Sequence, residues 1–255
     1  MKLLLDEKYR LYAQPCFLDT DPISVPHRFS RKEDIEIAGF LAATIAWGQR
    51  KSIIDNANRL MALMDNAPYD FLVNHQPVDC RPFRTFVHRT FNGTDCSYFL
   101  LALSEIYRHH GGLETLFTEG FRNGNTIKSS ITGFRDKFLS FYPEERTKKH
   151  IANPDKGSTA KRLNMFLRWM VRGSQEGVDF GLWKAIPVSG LMMPIDLHSG
   201  YIARQLGLLE RRQNDWLAVE ELTRNLRQFD QEDPVKYDFA LFGMGALEGK
   251  RGSIG

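Results

Sequence analysis

The chain of 255 residues is poor in cysteine: Cys16, Cys80 and Cys96 are widely spaced, odd in number and form no C-x-x-C pair. Neither a disulfide framework nor a zinc or iron-sulfur ligand set is expected, and the reducing cytosol is the expected compartment. Long apolar runs are also missing. The opening MKLLLDEKYRLYAQ carries Asp6, Glu7, Lys8 and Arg10 inside its would-be apolar stretch, and nothing later approaches the length of a membrane span. Neither an export signal nor an anchor is expected. Charge of one sign is not in large excess: 34 Lys and Arg against 31 Asp and Glu leave a net +3, which permits an anionic partner without requiring one. Strict apolar/polar alternation bounded by hairpin turns, internal repeats and low-complexity tracts are absent, so neither a β-sandwich nor a solenoid is indicated.

What the chain does have is 42% hydrophobic and 12% aromatic residues, enough to fold around a core. Its apolar positions recur at three and four residues, the period of an amphipathic helix. Helices are predicted near 2–13, 32–47, 51–64, 96–109, 126–141, 158–172, 197–206, 215–228 and 234–246, an all-α chain. Proline-bearing breaks fall at DTDPISVPHR, NHQPVDCRPFR and FYPEERTKKHIANPDKGS. The last, 141–158, is predicted as an exposed basic loop or a seam between two lobes.

Three stretches could carry chemistry. In MMPIDLHSGYIARQLGL, Asp196 stands at the mouth of a helix, where a carboxylate accepts an unpaired N–H and suits the positive end of the dipole. Ile195, Ile202 and Leu206 supply an apolar stripe, and Gly207 is placed to end the helix. In HIANPDKGSTAKRLNMFLRWMVRG, Gly157 precedes a helix that Ser158 or Thr159 could cap. Backbone amides aimed outward at such a turn make an anion site. Lys161 sits one turn inside, where positive potential would favour a free amine. Lys161, Arg162, Arg168 and Arg172 form the polar side of this helix, which is equally the pattern of an ordinary solvated basic face. In DIEIAGFLAATIAWGQRKSIIDNANRLMALM, a helix apolar on most sides ends at Trp47, Gly48 and Gln49, with Arg50 and Lys51 next. The segment FVHRTFNGTDCSYF, with His88, Arg89 and Asp95, is notably polar, and YDFALFGMG reads as packing residues with Lys236 and Asp238 at the surface.

Together these stretches resemble the helix-hairpin-helix DNA glycosylases. AATIAWGQRKSIIDNANRL is similar to their first core helix and turn, GSTAKRLNMFLRWM to the glycine and lysine pattern of the 8-oxoguanine glycosylases, nearest the archaeal forms, and PIDLH to the proline-aspartate segment that carries the catalytic carboxylate. The whole chain also resembles a bacterial family without an assigned activity that shares KRLNMFLRWMVR, PIDLH and DPVKYDFALFGMG. The glycosylase resemblance implies a single two-lobed helical domain over 1–255, its cleft lined by 158–172 and 196–206. It makes Lys161 the amine nucleophile and Asp196 the catalytic carboxylate. Lys156, Gly157, Ser158, Gln49, His198 and Arg168 would contact DNA. Trp47, Phe166, Trp169 and Trp183 would be candidates for the base pocket. The pattern departs in two places: Lys161 follows Gly157 by four residues rather than two, and 35 residues separate Lys161 from Asp196.

The implied activity is excision of an oxidised purine from duplex DNA by a monomer, nucleoid-associated if it binds DNA, with no metal or cofactor. A damaged base is rotated out of the stack and held between apolar faces. The carboxylate stabilises the sugar cation while the amine attacks it. Lys148 and Lys149 would add phosphate contacts. The alternatives are a non-catalytic helix-hairpin-helix nucleic-acid-binding protein and a helical protein-interaction module.

Overall fold

Apolar residues at helical spacing become helices almost wherever they occur. A computed structural model of the chain describes residues 1–142, 145–173 and 176–245. The chain divides into two compact units, Leu18–Ala152 and Met1–Phe17 together with the chain from Asn153 onward. The division falls inside the 141–158 segment, of which Pro143 and Glu144 lie outside the described residues. Within it Arg146, Lys149 and Lys156 are exposed, whereas Thr147 and His150 are buried.

The first unit contains α2 (Lys32–Thr44), α3 (Arg50–Leu63), α4 (Pro68–Asn74), α5 (Gly93–His109), α6 (Gly112–Gly124) and α7 (Ile127–Ser140). Every residue of α2 from Ile35 to Thr44 is buried, as its nearly continuous apolar run predicts. Glu36, buried within that run, accepts the Tyr107 hydroxyl at 2.8 Å. Phe40 packs on Phe99, Phe134 and Phe138, and Phe117 stacks on Phe134 with centroids 4.1 Å apart. The α6–α7 crossing is close because it is made of glycine: a Cβ at Gly120 would stand 2.9 Å from the Ser129 and Ser130 carbonyl oxygens. Just before α5 a two-residue ladder, β1 (Val87–His88) with antiparallel β2 (Phe91–Asn92), turns the chain through Arg89 at φ +54°. Gly93 then follows so closely beneath the Arg84 carbonyl that a Cβ would lie 1.9 Å from its oxygen.

The second unit contains α1 (Lys2–Tyr12), α8 (Lys161–Val171), α9 (Leu197–Gln205), α10 (Trp216–Arg227) and α11 (Tyr237–Gly243). Its core holds Phe166, Leu167, Trp169, Met170, Trp183, Leu222, Leu226 and Phe239. Gly243 admits the Tyr12 ring of α1 against the α11 backbone.

Several boundaries differ from the sequence expectation. α2 stops at Thr44, three residues early, and Gly48 at φ +107° lies in the connector rather than at the helix stop. α8 begins at Lys161 instead of 158, because Ala160 takes a left-handed conformation (φ +47°). α4 and α6 were not expected, and the short ladder is an addition to an otherwise helical chain. Of the predicted 234–246 helix, 234–236 form a 3-10 turn, α11 follows, and Ala246 lies outside the described residues. No described helix is long and apolar enough to cross a membrane.

Candidate functional site

Asp196 is a helix cap, and it uses one oxygen for that work. Its Oδ1 accepts the Ser199 N–H at 2.9 Å and the Ser199 hydroxyl at 3.2 Å, while its own N–H donates to Ser199 Oγ at 2.9 Å. This closed box fixes the start of α9. The other oxygen is left to point elsewhere. Oδ2 stands 3.2 Å from Lys161 Nζ, across 35 residues of sequence. Both side chains are partly open to solvent, 31% for Lys161 and 21% for Asp196. Burial alone would raise the Asp196 pKa, but the Lys161 charge and the Ser199 hydrogen bonds together outweigh it and hold the carboxyl below its ordinary value. Both residues belong to the second unit, as do all of α8 and α9.

Around this pair α9 presents an exposed first turn. Leu197 is 80% exposed, Tyr201 61%, and His198 lies between them in the open. Ahead of α8, Lys156 and Gly157 are exposed. Gly157 does occupy a left-handed turn (φ +84°), with nothing within 4 Å of where a Cβ would stand. Its amides are nevertheless not available for a phosphate. Asn153 Oδ1 takes the N–H of Asp155 and Lys156, the Asn153 carbonyl takes that of Ser158, and the Pro154 carbonyl takes that of Gly157. The proposed phosphate turn of Gly157 and Ser158 is therefore corrected: an Asx turn consumes its donors. Ser158 and Thr159 do not cap α8 either. Ser158 Oγ accepts the Ala160 N–H at 3.2 Å, and Ala160, the residue at the cap, has no side-chain oxygen to give.

The basic side of α8 is not the solvated face or DNA surface expected. Arg168 and Arg172 are 3% and 2% exposed. Arg168 pairs with Asp238 and, at 3.3 Å, with Asp179. Arg172 pairs with Asp179 at 2.9 Å and Asp233 at 2.8 Å and donates to the Tyr9 hydroxyl at 2.6 Å. A guanidinium clasped by buried carboxylates cannot reach a phosphate, so Arg168 is removed from the DNA-binding set. Asp238, expected at the surface, is buried, and Lys236 pairs with Asp230. Burial pushes the Asp238 carboxyl up to about 6, partly offset by Arg168. Its signal in the sequence was a carboxylate set inside the apolar run YDFALFG.

The aromatic pocket is also corrected. Phe166 and Trp169 are wholly buried and Trp183 is 1% exposed, with Trp183 edge-on to Phe166 at 5.4 Å. They fill the core of their unit and offer no face to a base. Trp47 and Gln49 belong to the first unit. Gln49 is exposed at the start of α3, and Trp47 is half-buried, edge-on to His88 at 5.2 Å and stacked with His150 at 5.9 Å. His88 contacts the Trp47 carbonyl at 3.1 Å, and burial, with help from the Arg89 charge, lowers its pKa despite the carbonyl contacts that favour its charged form. Asp95 is fully buried, boxes the start of α5 with Asn92, and accepts the Thr147 hydroxyl and the Arg146 guanidinium at 3.0 Å each. The polar segment around His88 and Asp95 thus ties its own unit together. Lys148 pairs with Glu145, and Lys149 is exposed. Among the described residues no group of three or more His, Cys, Asp or Glu could hold a metal ion.

No curated protein and no solved structure matched the chain. Residues 21–247 match the model of a protein family of unknown function, DUF2400, and the chain, most of whose length that match covers, belongs to this family.

Proposed function

We propose that the protein is a DNA glycosylase with lyase activity, acting on an oxidised purine, with Lys161 as nucleophile and Asp196 as the charge-stabilising carboxylate. The observation that supports this reading is the 3.2 Å approach of an amine and a carboxylate from distant parts of the chain, both partly open to solvent. Asp196 is held by its own helix box through Oδ1, so Oδ2 keeps a fixed place beside the Lys161 amine. As the glycosidic bond lengthens, positive charge grows on the sugar, and a fixed carboxylate stabilises it. The Lys161 nitrogen forms a bond to C1′, and the C1′–N bond breaks with its electron pair leaving on the base. The ion-paired Lys161 first gives its ammonium proton to Asp196, which passes it to the departing base, so the amine that attacks is neutral. The proton left on the C1′-bound nitrogen moves to O4′ as the C1′–O4′ bond breaks, giving a Schiff base, and the Asp196 carboxylate, free again after protonating the base, takes a C2′ proton as the C3′–O bond breaks and the 3′ phosphate leaves. Exposed Lys156 and His198, in the same unit as the pair, remain available for phosphate contacts.

Single-turnover release of 8-oxoguanine from a synthetic duplex tests the reading, with wild type releasing base and Asp196→Asn slowed by about a hundredfold or more. Binding without release by wild type would instead favour the nucleic-acid-binding module, for which an ion-paired Lys161 is the supporting feature.

A further inference from the structure

The cap box fixes Asp196 on α9, but its distance from Lys161 depends as well on how the start of α9 sits against the start of α8. The segment that leads into α10 is bonded to both. Asn214 Nδ2 donates to the Asp196 carbonyl at 3.3 Å, and two residues on the Trp216 N–H donates at 3.1 Å to the carbonyl of Gly157, in the turn ahead of α8. This short stretch has a fixed shape of its own: Asp215 caps α10 by accepting the Ala218 N–H at 3.1 Å, and Arg211 pairs with the same carboxylate. Asn214 is also gripped from α9. Arg204, about two turns beyond Asp196, donates through Nη2 to Asn214 Oδ1 at 2.7 Å and through Nε to the Arg211 carbonyl at 2.8 Å. With its oxygen taken by the arginine, the Asn214 amide is left with its N–H groups toward Asp196. The Asp196 carbonyl also accepts the Gly200 N–H at 3.0 Å, so Asn214 uses a second lone pair and does not compete with the helix. Gly200 makes room for the approach, since a Cβ there would stand 3.0 Å from Asn214 Oδ1 and 3.1 Å from Arg204 Nη1.

We propose that Asn214 is a positioning residue for the Lys161–Asp196 pair: its amide ties the cap of α9 to a segment bonded to the turn before α8, and so sets the separation at which amine and carboxylate meet. The tie stands on hydrogen bonds alone, whereas its effect on excision rests on the glycosylase reading. Asn214 does not touch the reacting atoms, because its bonds go to a backbone carbonyl and to Arg204. Without the amide, Asp196 keeps its box, but the start of α9 can drift from the start of α8. The pair has little slack to absorb that drift, since 3.2 Å is already at the long end of a direct N–H···O contact. A displacement of about 1 Å breaks the contact, and in a positioned reaction it costs up to about a hundredfold.

The test treats the full chain with a water-soluble carbodiimide, which joins an amine to a carboxylate only where the two are in contact, and maps the linked peptides by mass spectrometry. Wild type gives a Lys161–Asp196 isopeptide link. In Asn214→Ala the yield of that link falls by about tenfold, as for any reaction whose partners are misplaced, while the Lys51–Asp55 link of the other unit keeps its yield. Single-turnover excision of 8-oxoguanine slows by the same order with duplex affinity unchanged, because Asn214 acts on the geometry of the chemical step. A purely structural role would lower the melting temperature and leave both the link and the rate of the folded protein as in wild type. Gly200→Ala crowds the Asn214 amide and gives a weaker loss of the link, although alanine itself favours the helix. Folded Asn214→Ala with the wild-type yield overturns the proposal, as does Gly200→Ala with that yield where Asn214→Ala does not fold, or wild type without the link. Loss of the link in the variants with no excision from wild type overturns only the glycosylase reading.

Discussion

Replacing Asp196 separates its two oxygens. Asp196→Ala removes the bond from the Ser199 N–H, worth about 1 kcal/mol for a cap, and the partly exposed contact with Lys161, worth about 0.5 kcal/mol. The expected loss is about 1.5 kcal/mol, or about 3–6 °C in Tm for a chain of this size. Asp196→Asn keeps an oxygen for Ser199 and loses only the charge, so it is expected to cost about 0.5 kcal/mol. The pH sign follows from the lowered carboxyl. The ionised group contributes fully above the ordinary value of 3.8, and its contribution is lost as pH falls through the depressed folded value. Wild type and Asp196→Asn should therefore converge in stability as pH drops below 3.8. Urea unfolding followed by far-UV circular dichroism at pH 7 and pH 3 measures all of this. A loss above about 4 kcal/mol for Asp196→Asn at pH 7 would mean that the carboxylate is a structural keystone, and the separation of cap from catalyst would be wrong.

Arg168→Met should be far more damaging, about 3–5 kcal/mol by urea unfolding, since it takes from buried Asp238 the arginine it pairs with and leaves Asp179 to Arg172 alone. Gly93→Ala should cost at least about 3 kcal/mol, because its Cβ meets the backbone of Arg84, which cannot swing aside. His88 is held neutral, so the stability it contributes is whole above 6.5 and is lost as pH falls from 6.5 toward its depressed folded value. A thermal-stability profile across pH 5 to 7 should flatten in His88→Gln, and an unchanged slope would discount the burial argument.

The sequence made most helices legible because their faces repeat at 3.6 residues, and it located the cap at Asp196 from residue type alone. α6 is masked by glycine, a poor helix former: Gly111 and Gly112 stand at its start, and Gly120 serves a close crossing that no single-chain pattern announces. α4 has seven residues, too few to display a period. The buried fate of Arg168 and Arg172 was illegible for a different reason. A cation at a polar helix position looks the same whether water or a carboxylate many residues away meets it, and Asp179, Asp233 and Asp238 lie 11, 61 and 70 positions from the arginines they bind. The error at Gly157 was one of accounting, since a glycine turn suggests free amides until Asn153 is seen to take them. The Lys161–Asp196 pairing came from the family resemblance, not from spacing.

Covalent capture of the protein on DNA tests the central claim most directly. The full chain is incubated with a duplex carrying 8-oxoguanine in the presence of borohydride, and the adduct is mapped by peptide mass spectrometry. The account predicts a single adduct on Lys161, absent in Lys161→Gln although that variant still binds duplex, because a neutral side chain of similar length keeps the packing and loses the amine. An adduct on another lysine, or wild type that binds the duplex and forms none, would contradict it.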